Sequence, residues 1–149
     1  AGVQGGHRYG TARRLGPVFT VDDAEAEPIG TLLGTGRPGL VRKLTGGATT
    51  YYSAAPTVSA AVLRGIAAEA GVHVYTWGDD TLWANASFLA LHAMRAGTHD
   101  IVLGDRVVFD PSADRELRPD GGRLAVGLEP GQTALLFRGC RDEWRRLGG

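Results

Sequence analysis

Cysteine is almost missing from this chain. Cys140 is the only one among 149 residues, which excludes an internal disulfide and any metal cage built from thiolates. Lysine is scarce too: Lys43 stands alone beside fifteen arginines, a bias that fits a GC-rich bacterial coding sequence more than any one function. Net charge is absent. Sixteen basic and sixteen acidic residues are interspersed, so no field favours nucleic acid or a membrane surface. No apolar run approaches the roughly 18–20 residues of a membrane span, and the expectation is a soluble chain. The opening AGVQGGHRYG lacks the basic-then-apolar order of a secretory leader, and Met94 is the only methionine, as expected of a processed or excised piece.

What is present is globular. Apolar residues make up 43% and charged residues 21%, enough for one ordinary domain or two small ones sharing a core. Residues 1–16 are rich in Gly and Arg and read as an irregular lead-in. Pro17–Val21 reads as a short strand stopped by Asp22 and Asp23, and Asp23 could cap a short helical turn. Gly46 and Gly47 lie between two β-prone runs, residues 39–45 and 48–53, which is a hairpin signal. From Thr57 to Ala70, Val58, Val62, Leu63, Ile66 and Ala67 recur at helical spacing, and Gly71 follows where a C-terminal cap belongs. This helix is expected to bury Val62, Leu63 and Ile66 against a sheet containing Val72 and Val74.

Beyond Gly71 the pattern turns to β. Short strands are expected at 72–77, 81–84, 88–94, 100–103, 106–109, 123–128 and 133–138, separated by Gly, Pro or Asp turns. Residues 110–122 read as loose and polar, and 140–149 as a polar tail with one Trp. The fold class is therefore α+β, with mixed elements up to residue 77 and a small antiparallel β-sandwich over 78–139.

Motifs for chemistry are sparse. His7, His73, His92 and His99 are too unevenly spaced for a zinc motif, so no metal site is expected. No serine sits in a nucleophile elbow, and no base and pocket accompany Cys140. The N-terminal glycines do not form a dinucleotide fingerprint, since no strand precedes them, so no cofactor is expected. Asp22–Asp23 and Asp79–Asp80 are adjacent carboxylates, which capping a turn explains better than a catalytic pair does. No catalytic residue is assigned. Trp77 and Trp83 flank the acidic turn, with Tyr75 nearby. Their rings could stack on a pyranose while Asp79, Asp80 or Asn85 accepts hydroxyl hydrogen bonds. Packing in a core or an interface is the competing role for these aromatics.

The stretches PVFTVDD, GRPGLVRK, YYSAAPTVSAAVLRGIAAEAGVHVY, DDTLWANASFLALHA and GQTALLFR carry a resemblance across Pro17 to Arg138. Together they resemble the C-terminal end of multidomain glycoside hydrolases of the β-galactosidase type. In that family a catalytic (β/α)8 barrel precedes an amidotransferase-like oligomerisation domain and a small β domain. The resemblance implies that residues 17–77 finish the amidotransferase-like α/β layer and that 78–139 form the β domain. It also implies that catalysis resides on a barrel this chain does not include. The amidotransferase-like fold ordinarily carries a Cys nucleophile on a sharp turn, and no such Cys stands here. The implied role is a non-catalytic, structural and oligomerising region, not an enzyme on its own. Its partners would be the catalytic barrel or copies of itself. The alternative is a carbohydrate-binding β module.

Overall fold

The computed structural model describes residues 6–148 and divides into two compact units after Glu69. Residues 1–5 of the lead-in, with Gly2 and Gly5, and residue 149 lie outside the described residues. Antiparallel strands dominate both units, and helices are few.

The first unit is a three-stranded antiparallel sheet of β1 (Glu27–Thr31), β2 (Pro38–Thr45) and β3 (Ala48–Ser53), with β2 in the middle, followed by helix α1 (Ala60–Glu69). Gly46 and Gly47 close the β2–β3 hairpin at φ values of 59° and 82°, a two-residue turn that side chains with a Cβ resist. Neighbouring residues on β2 point to opposite faces, and the ion pairs show what covers each one. Arg42 joins Glu27 of β1 and Glu69 of α1, both at 2.7 Å. Lys43 joins Asp23 at 2.7 Å and Glu25 at 2.9 Å, and the Tyr52 hydroxyl donates to the Phe19 carbonyl at 2.9 Å. Helix α1 therefore lies over one face and the segment 17–26 over the other. Leu40, Val41 and Val62 are the buried apolar residues of this unit.

Several segments of this unit differ from the sequence expectation. Pro17–Val21 is not a strand, because its residues are spent crossing the sheet face. Asp23 caps a turn instead of a helix, its Oδ1 accepting from the Glu25 N–H at 2.9 Å. Pro28 and Gly30, residue types that usually interrupt a strand, sit inside β1. An edge strand tolerates them, and the register shifts on either side of Gly30 absorb the irregularity. Helix α1 is shorter than its periodicity suggested, since Thr57 takes φ of 59° and the helix starts only at Ala60. It buries Val62 and Gly65, whereas Leu63 is 54% exposed.

The second unit holds a five-stranded antiparallel sheet ordered β4-β5-β10-β7-β8. Its members are β4 (Thr81–Ala84), β5 (Phe88–His92), β7 (Val108–Asp110), β8 (Arg115–Leu117) and β10 (Thr133–Phe137). A two-stranded sheet of β6 (Gly97–Val102) and β9 (Arg123–Leu128) packs against it. Alternation decides the packing: Leu89 and Leu91 of β5, Val108 of β7 and Leu136 of β10 meet Ile101 and Leu124 of the two-stranded sheet in one buried cluster. The segment 72–77 is not a strand. The His73 ring takes the Val102 carbonyl at 2.8 Å, the acceptor a longer ladder would need, and Val72 is 58% exposed.

Two elements were hidden in polar sequence. β8 pairs Leu117 with Val108 inside the segment expected to be loose. The tail forms helix α2 (Arg141–Arg146), whose Trp144 ring packs within 5.6–6.1 Å of Phe88, Phe109 and Phe137. Glu143 accepts from the Cys140 N–H at 2.9 Å, which caps α2. A Cβ on Gly139 would collide with that carboxylate and with the Phe137 ring, so the approach to the helix requires glycine.

Candidate functional site

The outer face of the five-stranded sheet is built by register. Trp83 of β4 pairs with Ala90 of β5, which pairs with Leu135 of β10. The adjacent row is Thr81, His92 and Thr133, with His92 Nδ1 and Thr133 Oγ1 at 2.9 Å. Helix α2 covers the phenylalanines at one end of this face. The other end stays open: Trp83 is 59% and Leu135 48% exposed. Because Ala90 is small, it leaves a shallow hollow of about 220 Å³ bounded by Trp83, Asn85 and Phe88. Asn85 shapes that rim. Its Oδ1 accepts from the Ser87 and Phe88 N–H groups at 2.8 and 2.7 Å, turning the chain from β4 into β5.

A second, polar cleft of about 360 Å³ lies in the same unit, bounded by Thr76, Asp80, Arg95, Thr98, His99 and Asp100. At its wall Asp80 Oδ2 meets His99 Nδ1 at 2.6 Å, with 9% of each side chain exposed. Asp80 Oδ1 accepts from the Met94 N–H at 3.0 Å, and His99 Nε2 faces the Arg95 carbonyl at 3.2 Å. Both imidazole nitrogens thus face acceptors. Burial works against charge on Asp80, but the hydrogen bonds from Met94 and His99, with the nearby Arg95, hold its carboxyl below the usual range. The polar atoms of the pair are thus taken up by internal partners. The pair fastens the start of β4 to β6 and to the β5–β6 connection.

The sequence candidates separate accordingly. Asp80 is committed to this internal fastening. Trp83 stands on the open sheet face, and Trp77, 47% exposed, lies with Asp79 in the bend before β4. Tyr75 carries the Arg138 guanidinium over its ring, 5.5 Å from the centroid. Arg138 was not foreseen, yet it donates to the Asn85 carbonyl at 2.7 Å and so braces the rim beside Trp83.

Three other carboxylates share the bias of Asp80. Asp23 is held low by its hydrogen bond from Lys43. Asp110 is held low, against its burial, by the Ser112 hydroxyl and the Ser112 and Ala113 N–H groups. Glu143 is held low by the Cys140 N–H. A glycosidase general acid needs the reverse, a carboxyl raised so that it keeps a proton. Among the described residues no three His, Cys, Asp or Glu side chains gather as a metal site, and no helix is long and apolar enough to cross a membrane.

No protein-family model matches this chain, and no curated protein matches it. Among solved structures it is similar to β-galactosidase from Bacillus circulans sp. alkalophilus, at 21% identity and a TM-score of 0.49. The match spans 76% of this chain and 18% of that one, so the chain covers less than a fifth of the enzyme's length. The likeness is one of backbone path and says nothing about chemistry.

Proposed function

We propose that this chain is a non-catalytic C-terminal region of a glycoside hydrolase-like protein, with a structural and association role. In this reading residues 17–77 end an amidotransferase-like α/β layer, 78–139 form the small β domain, and the partners are the catalytic barrel or copies of the chain. The sequence resemblance over Pro17 to Arg138 suggests it. The observation that carries it is the Asp80–His99 pair: this buried acid–base pair lies beside a cleft, yet its polar atoms are turned to internal partners. The gene offers a direct test. An in-frame barrel encoded upstream of Ala1 is the expected finding. A start codon immediately before Ala1, opening an independent gene, would overturn the proposal.

The open sheet face favours a second reading, a carbohydrate-binding β module. Trp83 offers an exposed indole face, and the Thr81, His92 and Thr133 row offers hydroxyl and imidazole partners beside it. A galactoside titration followed by tryptophan fluorescence separates the two. Saturable quenching that disappears in Trp83→Ala supports the sugar module; an unchanged spectrum rejects it.

A further inference from the structure

The first unit's sheet has two edges, and they are built differently. A natural sheet edge is usually guarded by proline, a bulge or charge, because unpaired N–H and C=O groups template further strands. β1 has all three guards: Pro28, register shifts on either side of Gly30, and Glu27. β3 has none. Its sequence ATTYYS is uncharged, β-branched and aromatic, and lacks proline. Its register with β2 runs without a break from Ala48 to Ser53. Ala48, Thr49, Thr50 and Tyr52 are exposed.

The hairpin fixes which groups of β3 face outward. In a two-residue hairpin the residues flanking the turn, Thr45 and Ala48, exchange hydrogen bonds, and the pattern alternates from there. Ala54, donating to the Gly39 carbonyl at 2.8 Å, continues the same alternation. The N–H and C=O groups of Thr49, Tyr51 and Ser53 therefore point away from β2. Among the described residues none of these main-chain groups is bonded to another segment.

We propose that this edge pairs with the same edge of a second copy, antiparallel β3 to β3, with Tyr51 at the two-fold axis and Thr49 opposite Ser53. The pairing gives the association role above a specific edge and register, and it rests on that reading. The edge suits its own copy because it carries no charge to repel itself. The cations behind it, Arg42 and Lys43, are each already paired with two carboxylates of their own copy, Glu27 and Glu69 for one and Asp23 and Glu25 for the other, so neither is a free cation facing the edge. An isologous contact of this kind closes at a dimer.

Sedimentation equilibrium of the purified chain, from low micromolar to millimolar, provides the test. The wild type is expected to dimerise. Thr49→Pro removes an outward N–H without costing a β2–β3 bond, and should abolish the dimer. Thr50→Val, whose N–H points inward, should keep it. Should Thr49→Pro fail to fold, amide exchange of the wild type gives the same answer. Exchange at Thr49, Tyr51 and Ser53 should slow as concentration rises, while Thr50 and Tyr52 stay unchanged. A dimer indifferent to Thr49→Pro, or exchange independent of concentration, overturns the β3 pairing and leaves another association surface to be found. A monomer throughout overturns this pairing and association between copies together, and leaves the barrel as the partner.

Discussion

Asp80 and His99 meet at 2.6 Å with both side chains 9% exposed, and the pair links β4 to β6. Removing one partner leaves a buried polar group without its complement. His99→Ala should therefore cost about 3 kcal/mol of unfolding free energy, measured by urea denaturation of the chain.

The same pair sets an acid limb. Folded Asp80 is held below its ordinary carboxylate value, so it binds a proton more weakly than in the unfolded chain. Its contribution is complete above the unfolded value of roughly 4 and is lost as pH falls through the lower folded value. Asp80→Asn should make the stability profile shallower below about pH 4. Identical acid limbs in the two proteins would show that Asp80 gains nothing from its partners.

Core burial separates two leucines of similar sequence context. Leu91 is 0% exposed and Leu63 is 54% exposed. Leu91→Ala should cost roughly 2–5 kcal/mol, and Leu63→Ala less than about 0.5 kcal/mol. Thermal melts of both variants check this directly.

The Trp144 ring is the main apolar anchor of the C-terminal helix. Trp144 closes over Phe88, Phe109 and Phe137, and Trp144→Ala should cost about 2–3 kcal/mol for a half-buried indole. Loss of near-ultraviolet dichroism from these aromatics should accompany it.

The Gly46–Gly47 turn marked the hairpin in the sequence, because two positive φ values in succession leave few residue choices. The strands at 81–84, 123–128 and 133–137 were legible from alternation between turn residues. β1 was not, because Pro28 and Gly30 argue against a strand unless its edge position is known. Helix α2 was illegible for a related reason: five of its six residues, RDEWRR, are charged, and only the phenylalanines of distant strands reveal what Trp144 is for. The helix α1 spacing located the element but misassigned Leu63, since the buried stripe depends on where the sheet lies. Of the candidate site, the aromatics were visible in sequence. The commitment of Asp80 to His99, nineteen residues on, was not, because it depends on bringing β4 and β6 together.

The non-catalytic role proposed above requires that the chain alone hydrolyse no glycoside. Turnover of an aryl galactoside by the purified chain tests it most directly. No hydrolysis above the buffer rate is expected. Measurable turnover, abolished by a single Asp or Glu substitution in a variant that still folds, would contradict it.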